Sequence, residues 1–199
     1  MGAVMTASVV AFVLGKRPRL TGTLALVMLC VCAELEAAQL AGGAGVHHGK
    51  YLPMVVLLAW LVSHGDAHPQ RGHGAACGVA GACYTLAGLS KLQAAGWSWG
   101  QDGSLALLIA ERSVDAPATL QWIRGLLYQS PLLCAALASG TLLVELAGPL
   151  LILPAARRPY ALILCALHVG IWVSLGFGYV LWVMVLLGLA FSRLSTPAR

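Results

Sequence analysis

Apolar positions along this chain run continuously instead of alternating with polar ones, and six such runs follow one another. The first covers residues 2–15 and ends at the basic cluster Lys16–Arg19. It is short for a spanning helix, which needs about 20 residues. The second covers 20–45, is apolar to Ala33, then carries Glu34, Glu36 and Gln39 and ends in "AGGAG". The third covers 51–63 and the fourth 74–92. The fourth is rich in small residues (Gly78, Ala80, Gly81, Ala82, Ala87, Gly88), which let membrane helices approach closely. The fifth, 131–156, holds Glu145. The last, 159–191, has no formal charge over 33 residues. As one straight helix it would be about 50 Å long against a bilayer core of about 30 Å, so it must tilt, project or break. A break would fall at "SLGFGY", Ser174–Tyr179, giving two short helices or a hairpin; the pattern alone does not choose between a break and one tilted or projecting helix.

Residues 97–130 differ. Trp97, Trp99, Asp102, Glu111, Arg112, Asp115, Trp122 and Arg124 punctuate short apolar stretches, a pattern for one or two interfacial amphipathic helices.

Composition turns this pattern into a class. The chain is 59% hydrophobic and 10% charged, with a mean hydropathy of +0.84. Soluble domains carry about 25% charged residues, so this surface cannot be mostly water-facing. Leu- and Ala-rich continuous runs exclude a β-barrel pattern. The expected fold is an all-α polytopic integral membrane helix bundle in one domain, with about five to seven transmembrane helices plus the interfacial helices of 97–130. The expected location is the cell (plasma) membrane.

The net charge of +5 comes largely from short loops, "KRPR" at Lys16–Arg19 and "RR" at Arg157–Arg158. That is the positive-inside pattern rather than a nucleic-acid surface. It places 16–19, 64–73 and 157–158 inside, and the 45–50 turn and 97–130 outside, with Lys91 near the outer end of the fourth helix. The six cysteines all lie in apolar runs without zinc-site spacing and read as small packing residues. "HGDAHPQRGH", with His64, Asp66, His68 and His73, uses metal-ligand residue types, but Pro69 and its glycines indicate a flexible loop and no metal is expected.

An ionisable residue at mid-bilayer costs about 2.5–3.5 kcal/mol on insertion scales, so such residues usually face a cavity or a partner. Lys91 can snorkel to the headgroups, or it can be a buried amine acting as a base. Glu145, in "LLVELAGPL", either pairs with a cation such as Lys91 or is a protonated hydrogen-bond donor. His168, in "CALHVGIW", reads as a core or cavity histidine. Glu34 and Glu36 form a further acidic pair, and His47 and His48 precede the third helix on the side of Lys91.

The segment Tyr84, Ala87, Gly88, Leu89, Lys91, Leu92, followed by Trp99, Asp102 and Gly103, resembles the horizontally transferred transmembrane (HTTM) domain, also called the vitamin K-dependent gamma-carboxylase-like domain. "VELAGPLL", "ARRP" and "LHVGIWVSLGFGY" follow in the order of that family, so the resemblance covers about 45–191. It implies that Lys91 is the base that starts oxygenation of a reduced quinone, a vitamin K-like cofactor. It also implies that a histidine before Tyr51–Leu52, His48 or His47, supports that chemistry. Glu145, His168, Trp99 and Asp102 would line or pair within the site. The carboxylase's large extramembrane region has no counterpart here, so carboxylation of protein glutamates is not expected.

Small four-helix DoxX/MauE-type membrane proteins are also similar, through a "G-x-x-K-L" near a helix end. Two functions are therefore expected as alternatives. One is a quinol- or lipid-dependent oxygenase, epoxidase or carboxylase-like enzyme with a lysine base and a lipid-soluble substrate. The other is a non-enzymatic membrane component that binds a partner protein or peptide. Membrane lipid is a partner under both.

Overall fold

A computed structural model describes residues 2–14, 16–39, 48–64, 69–101 and 103–191, and among these every regular element is helical. The helices are α1 (Gly2–Val13), α2 (Pro18–Gln39), α3 (His48–Ser63), α4 (Pro69–Ala95), α5 (Ser104–Ser113), α6 (Ala118–Tyr128), α7 (Pro131–Leu146), α8 (Pro154–Leu175) and α9 (Val180–Phe191). Short 3-10 turns follow α4 at Gly96–Ser98 and α7 at Gly148–Leu151.

Prolines mark four helix starts. Pro18, Pro69, Pro131 and Pro154 each occupy a first helical position, where the missing N–H has no intrahelical partner to lose. This corrects the loop expected over 64–73: residues 69–73 are the first turns of α4, and His73 is buried in them. The same effect corrects the run 131–156. Gly148 and Pro149 end regular helix after Leu146, and Pro154 starts α8, so Arg157 and Arg158 are helical and not in a turn between helices.

The last run breaks inside "SLGFGY". Gly176 has a φ of +77° and donates its N–H to Trp172 O at 2.9 Å, a left-handed helix end that glycine adopts without Cβ strain. Residues 159–191 are therefore two helices.

Two helices, Gln70–Ser98 and Pro154–Leu175, are long and apolar enough to cross a membrane by length and composition. Helices α6 and α7 meet at 93° and together would make a third span. Pro18–Ala33, Tyr51–Ser63 and Val180–Phe191 are apolar but shorter. Among the described residues the count by this measure is two or three against the expected five to seven; the breaks at Gly148–Pro149 and Gly176 shorten the last two runs.

The chain divides into two compact units. The first holds residues 1–80, 151–162 and 180–199, and the second holds 81–150 and 163–179. In the first, α1 packs on α2, α2 on α3, and α9 on α1 and α3. Its core is Val9, Ala25, Leu29 and Leu57, with Phe12, Leu26, Met54, Leu181 and Met184 against them. Trp60 meets Phe12 edge-on at 4.8 Å and stacks on His64 at 4.2 Å.

In the second unit α5, α6 and α7 pack on one another. Small residues let backbones meet. A Cβ on Gly81 would sit 2.7 Å from Gly148 O, so both positions require glycine. The buried residues of α7 are Cys134, Ala138, Leu142 and Glu145, a stripe at spacings of four, four and three. Glu145 is thus a carboxylate in a core position.

Candidate functional site: a lysine–glutamate pair lining an apolar cavity

One face of α4 builds the site. Gly81, Tyr84, Gly88 and Lys91 recur at intervals of three and four and so stack along one side of the helix. Gly81 meets Gly148, Gly88 packs on Leu146, Tyr84 reaches His168, and Lys91 reaches Glu145.

The Lys91 ammonium position lies within hydrogen-bond reach of both carboxylate oxygens of Glu145. The Lys91 side chain is 24% exposed and that of Glu145 10%. Gly96, at φ +60°, turns the chain after α4, and Trp99 comes back over the lysine with its ring centroid 4.9 Å from Nζ. An aromatic face at that distance attracts a cation.

Lys91, Trp99 and Glu145 all line a cavity of about 540 Å³. Leu105, Ile109, Ile123, Leu127 and Leu137 contribute its apolar wall, while Thr141, Ser174 and Tyr179 add hydroxyls. Cavities of roughly 300–1,000 Å³ with mostly apolar walls and few polar groups suit small organic ligands. The space beside Trp60 and His73 in the first unit measures about 30 Å³, room for about one water.

Behind the cavity wall, Tyr84 Oη and Nε2 of His168 are 2.6 Å apart, and both residues are buried. Nδ1 of His168 is buried with no hydrogen-bond partner among the described residues. The His168 ring lies 5.0 Å from the ring of Tyr179, which does line the cavity. Burial pushes the Tyr179 phenol above its ordinary pKa, so it stays protonated as a donor.

The structure therefore brings Lys91, Glu145 and Trp99 together at one cavity, with His168 one ring removed. His48 opens α3 in the first unit, and its side chain, all of His47 and Asp102, and the side chains of Glu34 and Glu36 lie outside the described residues. Asp66 and His68 lie outside them too. His64 goes to Trp60 and His73 to Cys77 Sγ at 3.6 Å, and no group of three metal-ligating side chains forms among the described residues.

Sequence reasoning gave Tyr84 and Tyr179 no role. Tyr84 was reachable, because it lies seven residues before Lys91 and so on the same helix face. Tyr179 was not, because its place depends on where α8 ends.

The pair can act as one acid–base unit. As an ion pair, the carboxylate takes a substrate proton and the ammonium holds the oxyanion. As neutral amine and acid, the amine takes it. Both routes end in the same state, with ammonium, carboxylic acid and substrate oxyanion together, so the outcome does not depend on where the shared proton starts. Comparison with protein-family models, curated proteins and solved structures finds no match to this chain.

Proposed function

We propose that the chain is an HTTM-like integral membrane enzyme that binds a lipid-soluble quinol in the second unit's cavity and deprotonates it with Lys91 and Glu145. The observation that carries this reading is the Lys91–Glu145 pair lining a mostly apolar cavity of about 540 Å³. A reduced, vitamin K-like quinone fits that chemistry, since it is flat, apolar and carries an acidic hydroxyl. Its O–H bond breaks, the proton passes to the pair, and the oxyanion stays against the ammonium under Trp99. Apolar walls exclude water, which strengthens that contact. Dioxygen as co-substrate would make the reaction an oxygenation or epoxidation. The shorter apolar helices α1, α2, α3 and α9 add membrane spans toward a total of five to seven in the plasma membrane, with α5 at the interface.

The test uses the full chain in nanodiscs with reduced vitamin K or menaquinol and oxygen, assayed for quinone epoxide. Wild type forms epoxide, while Lys91→Met, inserted equally well, forms none. Equal epoxide from both, or none from wild type that binds the quinol, overturns the reading.

A second reading is favoured by the closeness of the same pair. A lysine held by both carboxylate oxygens is also a tie between α4 and α7 in a non-enzymatic, DoxX/MauE-like membrane component that binds a partner protein. A partner that co-purifies from native membranes and survives Lys91→Met supports it.

A further inference from the structure

The second unit holds another open cavity, of about 700 Å³, separate from the one beside Lys91. Four charged side chains line it: Glu111, Arg112, Asp115 and Arg124. Arg124 is 3% exposed, the deepest cation in the unit. Its Nε donates to Val173 O at 2.8 Å, and Nη1 donates to Arg112 O. These carbonyls lie at the C-terminal ends of α8 and α5, where helix dipoles place partial negative charge. That holds the guanidinium in position but supplies no carboxylate. Nη2 lies on the Gly176 side, 3.3 Å from where a Cβ there would sit, and Gly176 also lines the cavity.

Arg112 packs its guanidinium on the Phe177 ring at 4.9 Å. Glu111 and Asp115 are exposed. Two cations and two anions thus share one cavity wall, yet none of the four forms an ion pair among the described residues. Kept apart, they match a ligand that itself carries both signs.

Depth in the membrane follows from α8. Its 22 residues span about 33 Å, close to one bilayer core. Trp172, Leu175 and Gly176, at the C-terminal end of α8, line the cavity. Trp172 is 50% exposed, and Trp122 on neighbouring α6 is 68% exposed, the placement of interfacial tryptophans. With α8 as a span, the cavity opens at headgroup level.

We propose that this cavity binds an amine-bearing phosphate headgroup, the phosphoethanolamine of a zwitterionic phospholipid. Arg124 and Arg112 take the phosphate oxygens, and Glu111 and Asp115 take the primary ammonium. Arginine suits the first role because its fork donates two parallel hydrogen bonds to phosphate. This site is independent of quinol chemistry at Lys91, so either proposal can fail alone.

The test is a lipid titration of the full chain, purified in detergent, followed by native mass spectrometry. Wild type binds phosphatidylethanolamine at least about tenfold tighter than phosphatidylglycerol, which has the phosphate but no amine. In Glu111→Gln/Asp115→Asn, at two exposed positions, that preference falls to about twofold or less while phosphatidylglycerol binding persists. In Arg112→Gln both lipids weaken. Arg124→Gln removes helix-end contacts and can fail to fold, so the conclusion rests on the carboxylate pair. Free phosphoethanolamine, titrated alone, separates the sources: competition at micromolar levels assigns a soluble amine-phosphate ligand, and none assigns the lipid. Equal binding of the two lipids by wild type, or an unchanged preference in the carboxylate variant, overturns the proposal.

Discussion

Replacing Glu145 by Leu would leave the Lys91 ammonium without its counter-charge, against mostly apolar walls and the Trp99 ring. Replacing Lys91 by Met would strand a carboxylate in the core stripe of α7. Breaking a buried pair from one side costs about 3–5 kcal/mol, because the remaining charge is uncompensated. Lys91 is 24% exposed and Glu145 10%, so water or headgroups screen part of this. A discounted cost of about 2–3 kcal/mol for each single variant is the expectation. For a chain of this length 1 kcal/mol moves the melting temperature by about 2–4 °C, which gives a drop of about 4–12 °C. The double variant Lys91→Met/Glu145→Leu has no stranded charge and similar side-chain volume. It should melt within about 3 °C of wild type, as apolar replacements of buried pairs usually do. The assay is thermal unfolding of all four proteins in one detergent, followed by tryptophan fluorescence and by size-exclusion recovery. A coupling of about 2 kcal/mol or more between the two sites is expected. If the two single losses simply add in the double variant, the residues do not form a coupled pair, and both functional readings of the site lose their basis.

Three further outcomes follow from the packing. Gly148→Ala drives a methyl into the carbonyl of Gly81 and Thr85 Oγ1; it should cost about 1–3 kcal/mol and lower the yield of monodisperse protein. Tyr84→Phe removes the hydroxyl on His168 Nε2, leaving a buried ring with no partner at either nitrogen, and should cost about 1–3 kcal/mol in the same melting assay. If Tyr84→Phe melts like wild type, the pair is not formed in the protein. Gly176→Ala puts a Cβ at a φ of +77° and should cost about 1 kcal/mol, with faster amide hydrogen exchange at the last turn of α8.

Local pattern carried a large part of this molecule. Continuous Leu- and Ala-rich runs specify helices without reference to any partner, because each helix satisfies its own backbone. The stretch Ser174–Tyr179 is a candidate break by its two glycines, but that the run breaks, and does so at Gly176, is settled by the structure. Prolines misled in the other direction. By pattern Pro69 falls in a loop and Pro154 inside a continuous run, yet both are first residues of helices. Proline reads the same in a loop and at a helix start, and only the packing of the following turns separates the two.

The site divides along the same line. That Glu145, mid-run, needs a partner or a proton is legible in the sequence, whereas Lys91 near a helix end could equally snorkel to the headgroups. The spacing of Gly81, Tyr84, Gly88 and Lys91 puts them on one helix face, while the buried stripe of α7 that holds Glu145 emerges only in the structure. Which groups then meet was decided by tertiary structure alone. The glutamate lies 54 residues from its lysine, Tyr84 lies 84 from His168, and Arg124 reaches carbonyls at Arg112 and Val173. Local periodicity gives each helix a face but not a neighbour, and these contacts depend on crossing points set by small residues such as Gly81 and Gly148.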